Sequence, residues 1–161
     1  MQDKDGGFTR QPGLNFSRGE LTEFLDYWRS KCRERNFPTR ADINPREIER
    51  LLPWVNMYDV SPEGEEHRIR LLGSVLSSNF NIGDLRGKPL SSFPPLLASR
   101  ARKGIDWVLE TRGPIRAVAT SSSIPGQEFQ GTEICAVPLS DNGQDINIVM
   151  VIALLEKHKI R

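Results

Sequence analysis

Asp145-Ile146-Asn147-Ile148-Val149-Met150-Val151-Ile152-Ala153-Leu154-Leu155 is the stretch on which the fold turns. Ile146, Ile148, Met150 and Ile152 alternate with Val149, Val151 and Ala153, so an extended chain here is apolar on both faces. A strand of this kind lies at the centre of a sheet and needs cover on each side. Its part from Ile148 to Leu155 is also the longest apolar run in the chain, and it is far short of the roughly 20 residues that span a bilayer.

Working outward, Ser140-Asp141-Asn142-Gly143 precedes it, and Asn-Gly is a strong hairpin signal. Before that hairpin lie two further strand patterns, about Ile115 to Ser122 and Thr132 to Leu139. Their connections are too short for crossovers, so the last three strands form an antiparallel meander. Upstream, Leu96 to Thr111 carries a helical stripe of Leu97, Ala101, Ile105, Val108 and Leu109, with Trp107 at its flank, and Gly113-Pro114 stops it. Ser74 to Phe80 reads as a short helical region, and Asn81 to Pro95 as loop.

Further upstream, Trp54 to Val60 and His67 to Leu72 read as the two strands of a hairpin turning at Ser61-Pro62-Glu63-Gly64-Glu65. Two helical segments precede them. Ser17-Arg18-Gly19-Glu20 has the form of a capping box, and Leu21, Phe24, Leu25 and Trp28 follow at the spacing of one helix face. Arg29, Lys31, Arg33 and Arg35 suit the negative end of that helix and read as a solvated basic turn. Asn44-Pro45-Arg46-Glu47 starts a second segment with Asn as cap, Pro at its first position and Glu47 completing a second box. Residues 1–15 are polar and rich in Gly and Pro, and are expected to form a disordered or loosely attached arm. Residues 16–161 then form a single domain.

The composition narrows the function. The chain has 161 residues, 22 Lys and Arg against 21 Asp and Glu, and a formal net charge of +1. A chain of this length buries roughly two thirds of its unfolded surface without a disulfide or metal. Two cysteines, Cys32 and Cys135, make neither a disulfide framework nor a zinc site. The charge balance gives no general attraction to nucleic acid or to an anionic membrane, so neither is expected as a partner. The first residues lack an apolar signal core, and a cytoplasmic location is expected.

A two-strand hairpin, a run of short helices, one longer helix and a three-strand meander is the order of a PAS domain. Local motifs extend the resemblance. Tyr27-Trp28-Arg29, Phe37-Pro38-Thr39-Arg40-Ala41-Asp42-Ile43-Asn44-Pro45, Leu51-Leu52-Pro53, Arg68-Ile69-Arg70-Leu71-Leu72-Gly73-Ser74, Gly83-Asp84-Leu85-Arg86-Gly87-Lys88 and Glu133-Ile134-Cys135-Ala136-Val137-Pro138-Leu139-Ser140 resemble a divergent PAS family of alphaproteobacteria. The resemblance implies an α+β fold with a five-stranded antiparallel sheet. Helices cover one face, and the N-terminal helix covers the other or forms a dimer. It implies a sensory or interaction module of signal transduction, without catalytic turnover. Such a module works through a small ligand in its cavity, as a homodimer, or by engaging another signalling protein. The module is expected to act without an effector domain of its own.

On that reading, Met57, Arg70, Leu72, Leu76, Phe80, Trp107, Cys135 and Ile148 are candidate cavity residues, and Leu21, Phe24, Leu25 and Trp28 a candidate dimer face. Several carry a plainer reading. Cys135 fits an inert buried side chain, Phe80 and Trp107 fit core filling, and Arg70 fits an outward strand residue. If Arg70 lies inside it needs a carboxylate partner, and Glu133 is one option. Gly83 to Lys88 lacks the spacing of a phosphate loop and reads as a cavity lid.

The cofactor is unknown. The long helix has no His, and His67 and His158 read as surface residues, which disfavours haem. Ser74 to Gly83 has no Cys, which disfavours photoactive flavin. Cys32 is a weak redox candidate, and no metal site is expected. The competing reading is a cone-shaped α+β enzyme of isomerase or hydratase type. Its acid–base groups would come from Asp59, Asp106, Glu133, Asp145 and Tyr58, which show no convergent spacing.

Overall fold

The computed structural model describes residues 7–62, 66–126 and 130–155. Nine regular elements organise it: β1 (Thr9–Gln11), α1 (Gly19–Cys32), β2 (Val55–Asp59), β3 (Arg68–Leu71), α2 (Ser74–Phe80), α3 (Pro95–Thr111), β4 (Ile115–Ala119), β5 (Thr132–Leu139) and β6 (Ile148–Leu155). Short 3₁₀ turns at Arg40–Asp42, Pro45–Trp54 and Leu90–Ser92 link them. The six strands form one antiparallel sheet in the order β1-β4-β5-β6-β2-β3. The doubly apolar β6 lies between β5 and β2, the central position its composition demands.

The expected sheet had five strands, and the structure adds β1. Thr9, Arg10 and Gln11 pair with Val118, Ala117 and Arg116 on the outer edge of β4. Residues 9–11 of the expected loose arm are therefore sheet. What anchors it is Phe8, which is 5% exposed, packs against Trp107 at 5.2 Å and lies beneath the Arg100 guanidinium at 5.5 Å. Residues 1–6 of that arm, His158 and the tip of the 61–65 turn lie outside the described residues.

Strand alternation divides the sheet into two faces. One carries Val55, Met57, Cys135, Val137, Met150 and Ile152 and lies under α1. Leu21, Phe24, Leu25 and Trp28 are each 0–5% exposed in the single chain. Each such burial is worth about 1.5–3 kcal/mol. Trp28 also satisfies its indole by donating Nε1–H to the Pro138 carbonyl at 2.7 Å. Of the two roles open to this helix, it covers its own sheet. Its apolar face is consequently not a free dimer surface.

The start of α1 differs from the capping box read in the sequence. Arg18 is the cap residue, and no local side chain caps the helix. Instead the carboxylate of Glu133, on β5 and 2% exposed, accepts from Ser17 N–H at 2.8 Å and Arg18 N–H at 2.9 Å. It also accepts from Arg116 Nε–H at 2.8 Å. A carboxylate at a helix N-terminus meets unpaired amides and the positive end of the dipole. The long-range acceptor thus replaces the local one. In the second box, Asn44 caps Arg46 N–H as expected, but Glu47 accepts from Tyr27 and pairs with Lys31.

The meander turn is also longer than Asn-Gly suggests. Register pairs Leu139 with Ile148, which leaves residues 140–147 as the loop. The Asn142 side chain accepts from the amides of Gln144 and Asp145, and Gly143 takes φ 78°. Side-chain capping of consecutive amides stabilises this wider turn.

Candidate functional site

The other sheet face carries Asn56, Tyr58, Thr132, Ile134, Ala136, Val151 and Ala153, and it faces α2 and α3. Between them lies a cavity of about 240 Å³. A side lobe of about 70 Å³ shares Asn56, Leu76, Leu97, Ser123, Thr132 and Ala153 with it. The small Ala153 side chain on β6 leaves the space, while Leu76 and Phe80 of α2 and Leu97 of α3 close it from above. Trp54, 37% exposed, stands at its edge.

Gly73 sets the position of α2. A Cβ there would lie 2.3 Å from the Pro53 carbonyl oxygen and 2.9 Å from that of Val55, so only glycine permits this approach. Its N–H donates to Asn56 Oδ1 at 2.9 Å. Asn56 is 3% exposed, so a buried amide on β2 holds the first residue before α2. The same side chain lines the cavity.

The cavity wall is apolar with a few neutral polar groups. Ser122, 2% exposed, accepts from Ile124 N–H at 3.0 Å. Thr132 is 7% exposed, and its hydroxyl is buried without a hydrogen-bond partner among the described residues. A buried hydroxyl without a partner is costly, so its native state calls for water or a ligand group. Charge at the cavity is sparse. Arg18 lines it, but its guanidinium is engaged by Glu20 and by the Leu155 carbonyl. Arg100 lines the side lobe, stacked on Phe8 and bonded to Ser121. No Asp, Glu, Lys or His lines either space among the described residues.

Of the candidate residues read from the sequence, Leu76 and Phe80 line the cavity. Met57, Cys135 and Ile148 are buried on the opposite face, toward α1, and so correct the expectation. Arg70 pairs with Asp59 at 3.0 Å, with both side chains more than 40% exposed. It is outside the cavity, and Glu133 instead takes Arg116. Leu72 is half-buried beyond the end of β3 and does not line the cavity. Trp107 stands one layer out, behind Phe8 of the side lobe. The residues missed were Asn56, Thr132 and the serines at 122 and 123. Asn56 had a visible signal, since it is the one amide side chain within the wholly buried run Val55–Tyr58.

The Gly83–Lys88 loop is not a lid over this space. Gly87 N–H donates to the Ile69 carbonyl, and Ile69 N–H to that of Lys88, which covers the outer edge of β3. Covering an edge removes a template for unwanted strand pairing.

The titratable groups lie elsewhere. His67 is 7% exposed rather than superficial, and its Nδ1 accepts from Ser61 N–H at 3.0 Å. Burial lowers its pKa, opposed by Asp106, whose carboxylate is 3.8 Å from Nε2. Burial pushes the Cys135 thiol and the Tyr58 phenol well above their ordinary values. Of the groups weighed for an enzyme, Tyr58 alone borders the cavity system, in its side lobe. Asp59 is ion-paired at the surface, Glu133 faces α1, Asp106 is exposed on α3, and Asp145 lies in the 140–147 loop. No described helix is long and apolar enough to cross a membrane.

A family model described as PAS domain matches residues 17–153. The chain is similar to the crystal structure of a sensory box sensor histidine kinase from Vibrio cholerae, at 16% identity and a TM-score of 0.50. That similarity covers 70% of this chain and 92% of the other. A structure described as "Flavin Analogue Sheds Light on Light-Oxygen-Voltage Domain Mechanism" matches at 10% identity and a TM-score of 0.43, covering 70% of this chain and 84% of that one. No curated protein matches.

Proposed function

The chain belongs to the PAS domain family, and from that premise we propose that it is a sensory module of bacterial signal transduction, which takes up a small molecule between its sheet and α2/α3. The observation that carries this reading is the Thr132 hydroxyl. It is buried at a cavity wall with nothing to bond among the described residues. In this reading the module is non-catalytic. It reports occupancy to a second signalling protein, or to a second copy of itself, through a surface other than the buried face of α1.

The test is native mass spectrometry of protein purified from its own host, first under gentle and then under denaturing conditions. A discrete extra mass that is lost on denaturation supports the reading. A bare mass in both conditions, from protein that is also monomeric at high micromolar concentration, overturns it.

A further inference from the structure

From the shape, charge and unpaired hydroxyl of the cavity, we infer that its ligand is an uncharged single-ring molecule bearing one hydroxyl, held by Thr132. This inference rests on the ligand-binding reading above and specifies its chemistry.

Size sets the first limit. An apolar cavity of about 150 Å³ holds one benzene, so the space here accommodates roughly ten non-hydrogen atoms. The main cavity is about 240 Å³. The space opens to solvent on one side, so this volume sets the part of a ligand held inside, one ring and a short substituent, and the side lobe of about 70 Å³ can receive the substituent. It lies below the roughly 300–1,000 Å³ usual for drug-sized ligands.

Wall chemistry sets the second. Leu76, Phe80, Leu97, Ile124 and Ala153 present hydrocarbon to the space. An ammonium would find no carboxylate among the described lining residues, and Arg18 already has Glu20 and the Leu155 carbonyl as partners. Arg100 at the side lobe is likewise engaged, over Phe8 and by Ser121, so neither sign of charge finds a free partner in this space. A desolvated charge without a partner is strongly disfavoured, so the ligand is neutral.

The third limit is the polar contact. Thr132 Oγ1 is buried and unpartnered among the described residues. The Asn56 oxygen is taken by Gly73 N–H, which leaves its amide hydrogens on the cavity side. Thr132 lines the space, and rotation about its Cα–Cβ bond brings this hydroxyl to a ligand hydroxyl, which can accept from it or donate to it and can also accept from an amide N–H. A purely hydrocarbon ligand would leave the threonine unsatisfied.

The test compares p-cresol, toluene, 4-methylbenzyl alcohol and 4-methylbenzylamine, which share a methyl-bearing ring within the size limit above; the alcohol matches the amine in size and differs from it in charge. Binding is followed by calorimetry and by ligand-detected NMR. The expected result is saturable binding of p-cresol, roughly 3- to 10-fold tighter than toluene, the range that one net hydrogen bond supplies. The cationic amine does not bind. Thr132→Val keeps the side-chain shape and brings p-cresol and toluene to within about twofold. Ala153→Phe fills the cavity and abolishes both; Leu76→Trp serves the same purpose if that variant fails to fold.

No saturable binding of p-cresol to the wild-type chain, or an unchanged preference in Thr132→Val, overturns the inference. If p-cresol fails but a charged or polycyclic molecule co-purifies, the ligand class is wrong and the sensory reading stands. If p-cresol fails and no small molecule is retained from host extract, both fall.

Discussion

Glu133 offers the sharpest test of how this chain is held together. Its carboxylate is 2% exposed and accepts from three donors, Ser17 N–H, Arg18 N–H and Arg116 Nε–H, all within 2.9 Å. Glutamine has nearly the same shape but only one acceptor oxygen. In Glu133→Gln its NH₂ group must face one of those three donors, and the Arg116 guanidinium, 18% exposed, loses its counter-ion. Loss of an N-terminal cap costs about 0.5–2 kcal/mol. Breaking a buried ion pair by removing one partner costs about 3–5 kcal/mol. Arg116 retains some solvent and a glutamine oxygen in the place of Oε2 keeps two of the three bonds, so a total of about 3 kcal/mol is the reasoned value.

At roughly 2–4 °C per kcal/mol for a chain of this size, the melting temperature should fall by about 6–12 °C. Thermal and urea denaturation measure the loss. Hydrogen exchange should place it at the first turn of α1, ahead of the sheet. Arg116→Met alone leaves Glu133 its two backbone donors and should cost less. The two substitutions together should cost less than their sum, because one removes the charge that the other strands. A Glu133→Gln melting temperature within 2 °C of wild type would falsify the view that this carboxylate anchors the helix.

Three further predictions follow from the same geometry. Gly73→Ala pushes a Cβ into the Pro53 carbonyl at 2.3 Å, although its φ of −65° suits alanine, so the cost is steric, about 3 kcal/mol by the measure of overpacked cores; a melting temperature within 2 °C of wild type refutes it. Burial lowers the folded-state pKa of His67 below its unfolded value of about 6.5, so its contribution is complete above that pH and is lost as pH falls through the lower folded value. NMR titration of the His67 ring, assigned with His67→Gln, should show a midpoint below 6.5, and a midpoint above it would mean that Asp106 outweighs burial. Burial raises the pKa of both thiols, but Cys135 is 0% exposed whereas Cys32 is half-buried, so a thiol reagent should modify only Cys32 in the native protein and both in denaturant; two fast native thiols would contradict the burial of β5.

Local patterns carried most of the fold. The α3 stripe, the β5 limits and the central place of β6 each follow from residues close together in sequence, where periodicity and turn chemistry act. The sixth strand did not, because Thr9–Gln11 has no apolar alternation of its own and its anchor Phe8 works through contacts with Arg100 and Trp107, far along the chain. The cap of α1 escaped for the same reason. Ser17 and Glu20 make a plausible local box, but Glu133, from a rigid strand, takes the Ser17 N–H that Glu20 would have reached, and the Glu20 carboxylate pairs with the Arg18 side chain instead.

The cavity was harder to read than the fold, and the reason lies in β5. Every residue from Thr132 to Leu139 is buried, so hydrophobicity does not distinguish the face toward α1 from the face toward the cavity. Shifting an assignment by one residue reverses every side chain. Met57, Cys135 and Ile148 fell to that ambiguity. What breaks it is polarity rather than hydrophobicity. Asn56, Thr132 and Glu133 are the buried polar residues of these central strands, and burial obliges each to find a partner. Asn56 finds Gly73, and Glu133 finds α1 and Arg116. Thr132 finds none among the described residues, and it stands at the wall of the space. In a sheet covered on both faces, the polar exception left unpaired therefore locates the site and marks where a ligand's own polar group belongs.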